Sequence, residues 1–222
     1  MEIEITNDGS HTLFVPALNE HYHSTNGAIQ EARHVFIDAG LAQINKKEIN
    51  ILEIGFGTGL NAFLTILEAR RKKHTIKYTA TELYPLPTAV TKQLNFPKLI
   101  DLDSAALFDQ LHHSSWEKRE KITPDFSILK LKIDITTEKI ESDIESYDLI
   151  YFDAFGPDKQ PEMWKESVFR NLYAQCANNG ILVTYSAKGS VRRLLQTIGF
   201  HVERISGPPG KREMIRAVVT GK

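Results

Sequence analysis

The sequence has few of the residues that would hold a metal ion or a disulfide framework. Its 222 residues include one cysteine, Cys176, so no intramolecular disulfide can form, which fits a reducing compartment. The eight histidines include no H-E-x-x-H pair and no cluster at ligand spacing, so we expect no bound metal. No apolar run approaches the ~20 residues that span a bilayer, and the acidic start Met1–Ser10 does not resemble a signal peptide. These absences favour a cytoplasmic protein that does not bind a membrane.

Net charge is also nearly absent, but the charges are unevenly placed. The formal net charge is −1, yet residues 188–222 carry eight Lys and Arg against two Glu, so that segment is +6 and the rest of the chain is −7. Charge alone favours a solvated face for this segment. The alternative is a phosphate-binding patch on an otherwise acidic protein.

Strands and helices are predicted to alternate along most of the chain. A content of 41% hydrophobic and 25% charged residues is typical of a soluble folded protein and excludes a disordered chain. We expect residues 1–45 to form a strand or hairpin and an amphipathic helix, packed as an extension on a domain of residues 46–222. Within that domain, helices separate the predicted strands at 50–54, 76–81, 126–133, 147–152 and 181–185.

This alternation predicts an α/β fold with a Rossmann-like, mostly parallel sheet that helices cover on both faces. Two further strands, near 200–205 and 213–219, are joined by the turn Gly207–Gly210 and predict an antiparallel hairpin at one edge. The sheet would then have seven strands. Residues 85–125 contain several prolines and predict irregular structure with two short helices.

A glycine-rich loop, Glu53–Gly59, follows the first strand of this sheet and precedes a helix. Glycines let a ligand approach the backbone, and the helix start offers unpaired N–H groups at the strand ends where such sheets bind ligands. The spacing departs from the G-x-G-x-x-G dinucleotide fingerprint, because Leu60 stands in place of the third glycine. Glu53, the acidic residue just before the glycines, suits a cation such as S-adenosylmethionine better than a pyrophosphate. The alternative is a structural turn that binds no ligand.

Acidic residues also follow the next strands of the predicted sheet. Glu82 ends the second strand, where a carboxylate can accept both hydroxyls of a ribose. Asp134 ends the third strand, where it could accept the amino group of an adenine. Either residue alone could be a solvated strand end, but together with Glu53 they predict a nucleoside pocket.

The fourth strand ends in Asp153-Ala154-Phe155-Gly156-Pro157. A carboxylate here can hold an amine in line with a sulfonium methyl, and Phe155 can stack on a base. The alternative is a helix-capping Asp in a proline-containing loop.

Four segments together resemble one family. They are Leu52–Asn61, Asp153–Pro157 with Pro161–Trp164, Tyr185–Gly189 with Val191–Arg193, and Gly210–Met214. In combination and order they resemble the methyltransferases that complete 5-methylaminomethyl-2-thiouridine at the tRNA wobble position. The resemblance covers nearly the whole chain, including residues 27–36.

The resemblance implies a class I methyltransferase fold, with transfer of a methyl group from S-adenosylmethionine to the primary amine of 5-aminomethyl-uridine. The catalytic residue it implies at the reacting amine is Asp153. The cofactor-binding residues it implies, together with the pattern, are Glu53, Gly55, Phe56, Gly57, Thr58, Gly59, Asn61, Glu82 and Asp134. We expect tRNA to contact Phe155 and the basic residues that would flank the pocket mouth, namely Lys188, Arg192, Arg193, Lys211 and Arg212.

Many members of this family carry a C-terminal flavin-dependent oxidase domain, and this sequence has no second dinucleotide loop. We therefore expect a stand-alone, monomeric methyltransferase whose aminomethyl substrate is made by separate enzymes. Two other interpretations stay open: a methyltransferase for a small-molecule or protein amine, and a non-catalytic module that binds S-adenosylmethionine or tRNA.

Overall fold

A computed structural model describes residues 1–222, and its centre is a sheet of eight strands. In chain order these strands are β4 Glu48–Ile54, β5 Thr75–Thr81, β6 Glu120–Thr123, β7 Phe126–Leu131, β8 Tyr147–Phe152, β9 Cys176–Thr184, β10 Phe200–Ser206 and β11 Glu213–Val219. Across the sheet they follow the order β10-β11-β9-β8-β4-β5-β7-β6. The prediction of a mostly parallel α/β sheet with an antiparallel edge hairpin is confirmed, since β4, β5, β7, β8 and β9 pair in parallel and β10 pairs antiparallel with β11.

The sheet has one strand more than predicted. β6 pairs antiparallel with β7 at the edge opposite the hairpin, in a range predicted to be irregular. Ile122 is its only buried residue, so the strand carries almost no hydrophobic pattern. Strand β9 also begins at Cys176, five residues before the predicted start at 181. Asn179 and Gly180 indicated a turn before the strand, but they lie within it, at an irregular pairing where Asn179 adopts a φ of 62°.

Helices cover both faces of the sheet. In chain order they are α1 Ala28–Ala32, α2 Leu60–Lys72, α3 Thr88–Thr91, α4 Phe96–Ile100, α5 Ala105–His113, α6 Glu166–Gln175 and α7 Gly189–Ile198. One hydrophobic cluster contains Phe63 of α2 and Phe108 of α5, and the other contains Phe169 of α6 and Leu195 of α7. All six residues of β8 are buried, as a strand covered on both faces requires.

The N-terminal residues form a separate three-stranded antiparallel sheet and then a helix. The strands are β1 Glu2–Ile5, β2 His11–Val15 and β3 Glu20–His21. Helix α1 continues as a π-helical segment, Arg33–Asp38, and a 3-10 turn, Leu41–Gln43. Leu13 and Phe36 belong to the same hydrophobic cluster as Phe63, so this segment packs on the central sheet. A domain boundary at residue 45 stays a prediction.

None of the helices combines the length and the apolar character that crossing a membrane requires.

Candidate functional site

A cavity of about 570 Å³ opens at the carboxyl ends of β4, β5, β7 and β8. This is the edge where open α/β sheets bind their ligands. Each of these strands contributes the residues that follow it, and the N-terminal segment 20–25 forms a further wall. The volume is in the range of small-molecule and cofactor sites.

The glycine loop turns sharply under this cavity. Gly55 adopts a φ of 89°, and a Cβ at this position would lie 2.7 Å from the carbonyl oxygen of Asp153. Only glycine therefore lets the ends of β4 and β8 approach this closely. Of the predicted cofactor residues in this region, those that line the cavity are Gly55, Phe56, Gly57, Thr58 and Asn61, whereas Glu53 and Gly59 do not.

Glu53 lies behind Asn61 and holds the Asn61 side chain by a hydrogen bond. Glu53 is fully buried, and its Oε1 accepts a hydrogen bond of 3.0 Å from Nδ2 of Asn61, which also donates to Oδ2 of Asp153 at 2.8 Å. Burial, and then the charge of Asp153, raise the pKa of Glu53 well above its usual range, so its protonated form is favoured. The sequence suggested that the Glu53 carboxylate faces a cationic ligand. In the structure the cavity wall at this point instead presents Oδ1 of Asn61, a buried acceptor without a hydrogen-bond partner.

Glu82 joins the end of β5 to the glycine loop. Its Oε2 accepts a hydrogen bond of 3.0 Å from the backbone N–H of Gly57, and its Oε1 accepts one of 2.9 Å from that of Tyr84. A carboxylate has about four acceptor positions, so two remain for the hydroxyls of a ribose.

Asp134 follows β7 and lines the same cavity. Its Oδ1 accepts hydrogen bonds from the backbone N–H and the hydroxyl of Thr136, at 2.9 and 2.6 Å. These bonds fix the side chain and leave Oδ2 available to the exocyclic amine of a purine.

Asp153 stands at the end of β8, and its surroundings are held by other elements. The hydroxyl of Tyr185 donates to the carbonyl of Ala154 at 2.8 Å, and Trp164 Nε1 donates to that of Phe155 at 2.8 Å. Phe155 lines the cavity and meets the ring of Tyr22 edge-on, 5.2 Å between centroids. Contacts from three other residues therefore hold the loop that presents Asp153.

The pKa of Asp153 is raised to about 7, first by burial and then by the charge of Glu31, while the Asn61 hydrogen bond and Lys211 oppose the rise. At neutral pH this carboxyl is thus close to its midpoint, where a group can accept or release a proton.

The glycine loop is also supported from beneath by His112 and Lys130. His112 Nε2 donates to the carbonyl of Thr58 at 3.1 Å, and Lys130 Nζ donates to the carbonyls of Leu111 and His112 at 2.8 and 3.1 Å. Burial lowers the pKa of His112 to about 4 and that of Lys130 to about 8. A neutral imidazole therefore positions the loop, a role that no motif indicated.

The five basic residues expected at the pocket mouth do not all lie at the cavity. Lys211 lines the cavity, where its Nζ donates to Oε1 of Glu31 at 2.8 Å. Lys188 pairs with Asp158. The residues outside the cavity wall are Lys188, Arg192, Arg193 and Arg212, of which Arg193 and Arg212 are exposed.

Sequence reasoning missed the contribution of the N-terminal segment to this site. Tyr22, His23 and Glu31 line the cavity, and His23 Nε2 lies 3.2 Å from the hydroxyl of Thr58. Burial lowers the pKa of His23 to about 4, so it is neutral. Tyr185, which also lines the cavity, was named only as part of a motif.

Comparisons with known proteins agree with this geometry. Residues 104–220 match the model of the family described as S-adenosyl-L-methionine-dependent methyltransferase. The chain is 30% identical over 223 residues to the tRNA 5-methylaminomethyl-2-thiouridine biosynthesis bifunctional protein MnmC of Cupriavidus metallidurans, covering 95% of this chain and 32% of that protein. It is 29% identical over 217 residues to the MnmC of Burkholderia multivorans, with 92% and 33% covered. The chain therefore spans about a third of the length of these curated relatives.

A solved structure covers the whole chain. The crystal structure of MNMC2 from Aquifex aeolicus superposes with a TM-score of 0.81 at 28% identity, covering 100% of this chain and 70% of that one. The similarity thus includes the N-terminal segment as well as the central sheet.

Proposed function

The chain belongs to the family of S-adenosyl-L-methionine-dependent methyltransferases, and from this we propose that it methylates the primary amine of 5-aminomethyl-(2-thio)uridine at the wobble position of tRNA. The observation that carries the proposal is the convergence of Glu82, Asp134 and Asp153 on one cavity at the strand ends. The first two suit a nucleoside, and the third suits an amine beside it.

The cavity fits S-adenosylmethionine on its own chemistry. Asn61 Oδ1, in the cavity wall, is a buried acceptor without a partner, which an ammonium group would satisfy. Glu82 would hold the ribose and Asp134 the adenine, while the glycine loop leaves room for the methionine end. When bound, the cofactor supplies an electrophilic methyl group on a sulfonium.

The protein's own contribution to the transfer is centred on Asp153. A primary amine reaches the site mostly as an ammonium at neutral pH, and it must lose a proton before its lone pair can attack. With a pKa raised to about 7, the Asp153 carboxylate can accept that proton and orient the neutral amine. The nitrogen would then take the methyl group as the carbon–sulfur bond breaks and the neutral thioether departs, giving a secondary ammonium that would release its remaining extra proton to water.

The tRNA substrate is supported by the names of the relatives and by the charge of the C-terminal segment. Residues 188–222 carry a charge of +6, which suits the phosphates of an anticodon loop. A wobble base can leave its stack to enter a cavity, as RNA-modifying enzymes require of their target bases. Phe155 would stack on this base. The proposal includes a cytoplasmic location, action as a monomer, and separate enzymes that make the aminomethyl group.

One assay tests the proposal. The purified protein is incubated with methyl-labelled S-adenosylmethionine and tRNA that carries 5-aminomethyl-2-thiouridine, and the nucleosides are analysed by mass spectrometry. We expect the label in 5-methylaminomethyl-2-thiouridine, and none in tRNA whose wobble uridine lacks the aminomethyl group. Cofactor binding without transfer to this tRNA would contradict the proposal and favour a small-molecule or protein amine, which the same labelled cofactor would reveal.

A further inference from the structure

Glu31 and Lys211 form an ion pair inside the cavity. Nζ of Lys211 lies 2.8 Å from Oε1 of Glu31, and the side chains are only 35% and 10% exposed. The other oxygen of Glu31 accepts a hydrogen bond of 2.8 Å from the backbone N–H of Ser24. Lys211 Nζ also lies 4.0 Å from the centre of the Tyr185 ring. Both charges are therefore fixed in place, unlike those of an exposed pair.

This pair is linked to the loop that carries Asp153. Tyr185, whose ring face contacts Lys211, donates its hydroxyl to the carbonyl of Ala154, the residue after Asp153. Glu31, Lys211, Tyr185 and Asp153 all line one cavity. The pair thus lies within the cavity, and Tyr185 connects it to the loop that carries Asp153.

We propose that the Glu31–Lys211 pair is a positioning element of the acceptor site, which sets the charge state in which Asp153 meets the amine. The inference rests on the proposed amine methylation and deepens it. Lys211, which the sequence placed among phosphate contacts, belongs here to the proton chemistry of the site.

The physical argument is that the two members of the pair act on Asp153 with opposite sign. The negative charge of Glu31 raises the pKa of Asp153, and the positive charge of Lys211 lowers it. The titratable groups that face Asp153 from the packed elements are Glu53 of β4, Tyr78 of β5, Glu31 of α1, Tyr185 after β9 and Lys211 of the hairpin turn. Burial raises the pKa of Glu53, Tyr78 and Tyr185, so the neutral forms of these three are favoured, which leaves the pair as the source of fixed charge.

Two conservative variants separate the members of the pair. Glu31→Gln keeps one of the two acceptor oxygens that Ser24 and Lys211 use but removes the negative charge, so the acidic limb of the pH–rate profile should move to lower pH. Lys211→Met keeps the packing on Tyr185 but removes the positive charge, so the limb should move to higher pH. We expect each shift to be about half a pH unit or more.

The experiment measures single-turnover methylation at saturating cofactor and tRNA between pH 5.5 and 9, and the ¹³C carboxyl titration of Asp153 in the cofactor-free protein. The Asp153 resonance is assigned by its loss in Asp153→Asn. Glu203→Gln, which removes the acid of a pair with Arg216 on the β10–β11 hairpin outside the cavity, serves as the matched control and should shift neither curve.

Opposite shifts in the two variants support the inference. Shifts of the same sign in both variants, or no shift, overturn it. A pair with a merely structural role would change the methylation rate without moving the Asp153 titration in opposite directions in the two variants. If the parent methylates no aminomethyl-tRNA, the proposed function fails, and the carboxyl titration still decides the role of the pair.

Discussion

The loss of Glu82 should weaken cofactor binding in two ways. Glu82→Ala would remove the acceptors of the proposed ribose hydroxyls and, at the same time, the hydrogen bonds to the N–H groups of Gly57 and Tyr84. Gly57 lies in the cavity wall, so the loop that receives the methionine end would lose an anchor as well.

The size of this effect can be derived from the bonds that are lost. Hydrogen bonds to a charged group contribute about 1.5–3 kcal/mol each, and water can replace part of each one. The ribose contacts alone therefore suggest a loss of about 2–4 kcal/mol, which is roughly a 30- to 700-fold rise in the dissociation constant. Glu82→Gln keeps one acceptor oxygen and should lie between parent and Glu82→Ala.

Isothermal titration calorimetry with S-adenosylmethionine measures this change directly. Glu166→Ala is the matched control, because Glu166 pairs only with Arg170 on the exposed face of α6, and its affinity should equal that of the parent. Thermal unfolding checks that each variant is folded. An affinity of Glu82→Ala within about threefold of the parent, less than about 0.7 kcal/mol, would remove Glu82 from the cofactor site.

Three further outcomes are expected. Asp153→Asn should largely keep cofactor affinity but slow single-turnover methylation about a hundredfold or more, since an amide cannot accept the proton; an unchanged rate would reduce Asp153 to a loop residue. Asp153→Asn should also be more stable than the parent. Because the pKa of Asp153 is raised to about 7 in the folded protein, the parent loses stability as the pH rises from about 4 to 7, whereas the variant does not. The free energy of unfolding that the variant gains over the parent, measured with urea, should therefore grow over this window to at most about 4 kcal/mol, and a gain that does not change with pH would contradict the prediction. Arg212→Ala should weaken tRNA binding and reduce by about one the slope of the logarithm of the binding constant against the logarithm of the salt concentration. Adding Lys211→Ala should not reduce this slope further, because Lys211 is paired with Glu31. Equal slopes in the parent and in Arg212→Ala would exclude a phosphate contact of Arg212.

The central sheet could be predicted from the sequence because its strands are buried on both faces. A run such as Tyr147–Phe152 is apolar throughout, so it carries a strong signal. Once the strands are parallel, their carboxyl ends share one edge, and the placement of Glu82, Asp134 and Asp153 around one cavity follows from chain order alone.

Features that depend on contacts distant in sequence could not be predicted in this way. Glu31 and Lys211 are 180 residues apart, and no periodic pattern connects an N-terminal helix to a hairpin turn. β3 has two residues and β6 has four, too few to show an alternation. The burial of Glu53 was also hidden, because the sequence shows an acidic residue beside a loop but not the Asn61 side chain that separates it from the cavity.

The wide separation of Glu31 and Lys211 has a consequence for the order in which the protein is made. Glu31 leaves the ribosome early, and Lys211 follows 180 residues later, which takes about 10 to 40 s at common rates of synthesis. During this interval the carboxylate has no lysine beside it, and the strands that carry Glu82, Asp134 and Asp153 can already be pairing. The acceptor site therefore obtains its full set of charges only when the last hairpin folds against the N-terminal helix, so a nascent chain with an assembled nucleoside pocket would still lack a complete acceptor site.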